Sequence, residues 1–187
     1  MNFNVTNVSA RGFLTIRDKE TQMIVVDTNN AIHFGNLTAT LAKAFSGSLD
    51  GHARYMVFGN GGSSVTTTGQ ISYRSPNVSS IRDSSAMLYN QTFSKDMSVN
   101  TDTDNISFNL SNANFADIQF KATLNFGEPN GQDSTDTAIN NDGDYVFDEL
   151  GIQAYDNTLI THVLFHPVQK SLNRALEIDY TIRIQMG

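Results

Sequence analysis

The sequence predicts an all-β fold, an antiparallel β-sandwich of about eight or nine strands with one short capping α-helix and long loop arms. Three observations predict it. Short runs rich in β-branched and aromatic residues recur along the chain, bounded by clusters of Asn, Asp, Gly and Ser. The C-terminal run alternates apolar and polar residues without interruption. A single segment has helical spacing. With 187 residues and 39% hydrophobic content, the chain is long enough to bury one core.

The elements follow in order. "FLTIRD" (13–18) and "QMIVVDT" (22–28) flank the polar "KET" and form an N-terminal hairpin. In "NNAIHFGNLTATLAKAFSGS", Phe34, Leu37, Leu41, Ala44 and Phe45 follow helical spacing, with Asn30 as cap and Gly47 as stop. A lone amphipathic helix beside a sheet plugs one end of its core, and this one lacks the basic face of membrane-surface helices. Strands follow at 54–59, 105–111, 117–126, 145–155, 158–165 and 175–186. In the last, Leu176, Ile178, Tyr180, Ile182 and Ile184 alternate with Glu177, Asp179, Thr181, Arg183 and Gln185, the pattern of a half-buried antiparallel strand. Asp156 and Asn157 suit a tight turn, so 145–165 reads as a hairpin. Residues 60–87 and 127–144, rich in small polar residues, carry no periodicity and are where an interaction is expected. The domain reading is an N-terminal hairpin or assembly element (1–29) followed by the sandwich (30–187).

Composition narrows the chemistry. There is no cysteine, so disulfides, thiolate metal sites and thiol nucleophiles are excluded. No apolar run is long enough to span a bilayer as a helix, and "MNFNVTNVSARG" lacks the pattern of a secretory signal, so a soluble product made in the cytoplasm is expected. The formal net charge is −7, and twelve acidic residues between Asp96 and Asp156 face the single Lys121. No basic stripe is present to neutralise successive phosphates, which argues against nucleic-acid binding.

Motifs are weak by comparison. "FGNGGSS" is rich in glycine but matches neither phosphate-binding signature. "HVLFH" would place His162 and His166 on one helical face, but its β-branched and aromatic setting makes it a strand, which separates the two rings by about 13 Å. Each is then a surface or hydrogen-bonded histidine. "AINNDGDYVFDE" aligns Gly143 and Glu149 with two positions of a calcium loop, but Ala138 stands where the first carboxylate belongs. Asp133, Asp136, Asp142 and Asp144 remain weak calcium candidates; no cofactor and no catalytic triad is expected.

The order "NNAIHFGNLTATLAKAFSG", "YMVFGNGGSSVTTTGQ", "LYNQTFSKDM", "ATLNFGE" and "YVFDELGIQAYDNTLITHVLFHPVQKSLNRALEIDYTIRIQ" resembles a group of tailed-bacteriophage virion proteins. The resemblance rests on Glu149 and Gly151, on Phe165, Pro167 and Lys170, and on Leu176, Glu177, Tyr180, Thr181, Ile182 and Ile184. It implies a non-enzymatic protein of the virion, made in the host cytoplasm. Its partners would be copies of itself and other virion proteins, in a tail, neck, baseplate or fibre attachment. The alternatives are a capsid decoration protein, which would clamp shell subunits, and a carbohydrate-binding receptor module, which the absence of tryptophan disfavours. A glycan hydrolase ranks last. On this reading Gly59, Gly61 and Gly62 form a hinge of permissive backbone that releases a loop arm, and Tyr73, Arg74 and Arg82 on that arm contact a neighbouring subunit.

Overall fold

The computed structural model describes residues 8–112, 114–132 and 145–186. The elements are β1 (Val8–Asp18), β2 (Ile24–Ile32), α1 (Phe34–Phe45), β3 (Ala53–Gly59), β4 (Ser63–Val65), β5 (Ile71–Tyr73), β6 (Gln91–Asp96), β7 (Asn105–Asn109), β8 (Phe115–Leu124), β9 (Val146–Ala154), β10 (Leu159–Gln169) and β11 (Leu176–Met186). Nine strands make one sheet in the order β6-β3-β9-β10-β2-β1-β11-β8-β7, and β4 and β5 pair separately. Every pairing is antiparallel. The fold is all-β, as the sequence predicts.

The two expected layers are halves of one curled sheet. β2 is the corner: residues from Ile24 to Asn30 pair with β1, whereas only Ala31 and Ile32 pair with β10. Leu14, Ile16, Phe120, Tyr180 and Ile182 from one half meet Met56, Phe58, Leu150, Ile152 and Val163 from the other in a single core cluster. At the margin, Lys95 on β6 donates to the Thr123 carbonyl of β8 at 2.7 Å.

The hairpins at 13–28 and 145–165 form as predicted, the second turning through Asn157 at φ 65°. The boundary expected at residue 29, however, falls inside β2. β1 pairs with β11 from Val8↔Met186 to Asp18↔Leu176, so the N-terminal hairpin is the middle of the sheet. Its buried Leu14 and Ile16 explain why: that apolar face needs the common core.

Helix α1 starts four residues later than the expected cap. Asn30 belongs to β2, with its side-chain amide donating to the Tyr180 hydroxyl; His33 caps instead, its Nδ1 accepting the Asn36 N–H at 3.2 Å. Gly47, at φ +77°, ends the helix as predicted. Leu37 and Leu41 pack on the core, but Phe45 is 89% exposed.

Candidate functional site

The segment after β3 does not leave the sheet as a free arm. It folds back over the face opposite the main core, where Ala86 and Leu88 pack on Val57 and Leu159 in a second, smaller apolar cluster. What fastens it is a pair of adjacent acids on β9, Asp148 and Glu149, both fully buried, together with the fully buried His162 of β10.

The geometry is a clamp. Glu149 Oε1 accepts the N–H groups of Gly61 (3.0 Å) and Asn90 (2.8 Å), and Oε2 accepts the Tyr89 N–H at 2.9 Å. His162 Nε2 lies 2.9 Å from Glu149 Oε2, while its Nδ1 accepts the Asn77 N–H at 2.8 Å. An Nδ1 that accepts leaves the ring proton on Nε2, so His162 donates to Glu149. Asp148 Oδ1 accepts from Gly62 N–H at 2.9 Å, and Oδ2 from Ser63 N–H at 2.7 Å and from the Ser63 hydroxyl. Two carboxylates and one imidazole thus hold residues 61–63, 77 and 89–90 against β9 and β10.

Burial acts on the two acids with different outcomes. For Glu149, burial pushes the carboxyl up, but donation from His162, Asn90, Tyr89 and Gly61 outweighs it and holds the group below the usual carboxylate range. For Asp148, burial prevails over the hydrogen bonds from Ser63 and Gly62, and the neighbouring Glu149 charge adds to it, so this carboxyl is pushed up.

The three glycines serve this clamp by a different means from the one expected. None of Gly59, Gly61 and Gly62 has a positive φ. A Cβ at Gly59 would lie 2.4 Å from the Asn90 carbonyl oxygen, at Gly61 2.7 Å from the Asn90 nitrogen, and at Gly62 2.5 Å from a Leu164 methyl. They permit close approach, at Gly59 and Gly61 to the Asn90 backbone and at Gly62 to the Leu164 side chain, and none of them needs left-handed backbone.

The predicted contact residues are partly engaged within the chain. The Tyr73 hydroxyl sits 3.3 Å from His166 Nδ1, and the Arg74 guanidinium lies 4.6 Å from the centre of the Tyr89 ring. Arg82 is exposed. Beside it, Asp83 exchanges hydrogen bonds with the buried Asn36 side chain, which pins this stretch to α1. The fastened segment turns Val65, Tyr73, Ile81 and Met87 outward, with Ile81 76% exposed. Asp133, Asp136, Asp142 and Asp144 lie outside the described residues. Among the described residues no group of three or more His, Asp or Glu is placed to hold a metal ion.

The sequence places His162 on a strand as either a surface or a hydrogen-bonded histidine; it lies on β10, buried and hydrogen-bonded. Sequence reasoning missed the clamp, although one signal was present: two adjacent acids inside the apolar run "YVFDELGIQAY", where a strand core has no solvent to offer them.

A second feature lies at the β2 corner. A cavity of about 600 Å³ opens there, lined by Arg11, Phe13, Asn29 and Phe34 among others. No family model, curated protein or solved structure matches the chain.

Proposed function

We propose that this chain is a non-enzymatic structural protein of a bacteriophage particle, acting through contacts with its own copies and with other virion proteins in a tail, neck, baseplate or fibre attachment. The observation that carries the assembly reading is the clamp. Glu149, Asp148 and His162 are sealed from solvent and occupied by the chain's own backbone, so they fix a surface and do not meet a substrate. The fastened segment exposes Tyr73, Ile81 and Met87 as well as Arg82, apolar and cationic groups of the kind enriched where proteins meet. The assignment to a phage rests on the sequence resemblance, whose residues fall on β9, β10 and β11 apart from Lys170, which follows β10 directly.

The test is incorporation into particles. Ile81→Ser combined with Arg82→Ala leaves the melting curve of the free protein unchanged and reduces its content in purified particles several-fold. Full incorporation of the double variant refutes the contact surface, and absence of the protein from phage particles altogether refutes the phage reading. Capsid decoration is the variant of this proposal in which labelled protein maps to the head.

The cavity at the β2 corner favours a second reading, carbohydrate recognition, because the exposed aromatic side chains Phe13 and Phe34 line it together with the polar Arg11 and Asn29. Under it, Phe13→Ala leaves incorporation intact and abolishes adsorption to cells.

A further inference from the structure

Lys170, the residue after β10, is fully buried and forms no ion pair among the described residues. Its Nζ donates to the side-chain carbonyl of Gln132 at 3.3 Å and to the Ser171 carbonyl at 3.2 Å. Gln132 is buried too, and its Nε2 has no hydrogen-bond partner among the described residues. The contact is held from both sides: the Lys170 N–H donates to the Tyr145 carbonyl at 2.8 Å, and the Tyr145 hydroxyl donates to the Asn130 carbonyl at 3.2 Å. A buried primary amine therefore faces a buried carboxamide whose nitrogen no described residue retains.

We propose that Lys170 and Gln132 are joined by an intramolecular isopeptide bond formed without any other enzyme. The neutral Lys170 amine attacks Gln132 Cδ, the new C–N bond forms, and the carbonyl electron pair moves to Oε1. When that pair returns, the bond from Cδ to Nε2 breaks and the nitrogen departs as ammonia, carrying one proton that began on Nζ. Amine and carboxamide become a secondary amide and ammonia, with no change of oxidation state. Burial lowers the Lys170 pKa to about 8, against the opposing pull of the Glu128 charge and with help from Arg174, so roughly a tenth of the amine is neutral at pH 7. Glu128 is held by Lys95 Nζ at 2.8 Å and acts on Lys170 only through its charge, so the proton passes from Nζ to the leaving nitrogen within the tetrahedral intermediate. The product ties the connection between β8 and β9 to the end of β10, a covalent staple in a chain that has no cysteine.

Intact-mass spectrometry of the denatured full chain reads the result directly. The wild-type protein is lighter than its sequence by one ammonia, whereas Lys170→Arg and Gln132→Glu have their full calculated masses. Digestion after acidic residues separates the two positions, so the linked form gives a branched peptide that contains both Gln132 and Lys170. A wild-type mass equal to that of the sequence overturns the proposal. So does an ammonia loss that maps to Asn60–Gly61 or Asn130–Gly131, where ring closure of the asparagine has the same mass. The wild-type measurement decides the matter even if a variant fails to fold.

Discussion

Glu149 is the single side chain on which the clamp depends most. In Glu149→Gln the amide oxygen can replace only one of the two acceptors, and the new NH2 group faces either N–H donors of the loop or His162 Nε2–H. Stranded buried donors cost about 1–3 kcal/mol each, so this variant is expected to lose roughly 2–5 kcal/mol of stability in denaturant titrations. The pH dependence follows from the same geometry. A folded-state carboxyl held below its ordinary value of 4.5 stabilises the fold above that pH and loses its contribution as pH falls through the lowered value. Asp148 is shifted the other way from 3.8: its contribution is present below that value and is lost as pH rises through the raised one. The two partly cancel. Acid titration of stability should therefore be flatter in Glu149→Gln and steeper in Asp148→Asn than in the parent. At the other end of the clamp, Gly59→Ala pushes a methyl group against the Asn90 carbonyl and is expected to cost about 1–3 kcal/mol, measured the same way. The acid pair in the apolar run marked a buried polar site but not its partners, because those are main-chain groups, which look alike beneath every side chain.

Strand β11 pairs with β1 on one side and β8 on the other, and its Tyr180 and Ile182 are buried in the core. Losing one such aliphatic contact costs about 1.5–3 kcal/mol. A charge in its place adds desolvation, against a total stability of about 5–15 kcal/mol for a domain. Ile182→Asp should accordingly give no cooperative thermal transition by circular dichroism. This strand was fully legible because its alternation spans the whole element. β4 and β5 were not, since three residues each, mostly exposed, leave no apolar face to detect. β6, "QTFSKD", hides for another reason: its deeply placed residue is Lys95, which is buried only because Glu128 and the Thr123 carbonyl receive its ammonium. The pattern of a buried lysine is the pattern of a surface until its partner is known.

The segment from 60 to 90 sets the protein's outward character. Arg74 stacks on Tyr89 within the chain, so Arg74→Ala should lower stability by about 0.5–1 kcal/mol. Exposed Arg82 should be silent in the same melt, and only its effect on incorporation distinguishes it. Limited proteolysis offers an independent check: with the clamp intact, residues 61–90 should resist cleavage in the free protein, and in Glu149→Gln they should become the first site cut. Rapid cleavage there in the parent would mean that the clamp does not hold in solution.

The adjacency of β1 and β11 also orders events in time. A ribosome releases the N-terminal hairpin long before the strand that completes it, so one edge of β1 stays open, with no ladder partner, while most of the chain is still being made. Folding to the native sheet must wait until synthesis has passed residue 186, and pairings between residues so distant in sequence are slow to form. During that interval the nascent chain carries an unpaired strand able to add to any other, including the same strand on a neighbouring ribosome. Chaperone dependence at high expression, relieved by slowing synthesis, is the physiological signature this topology leaves.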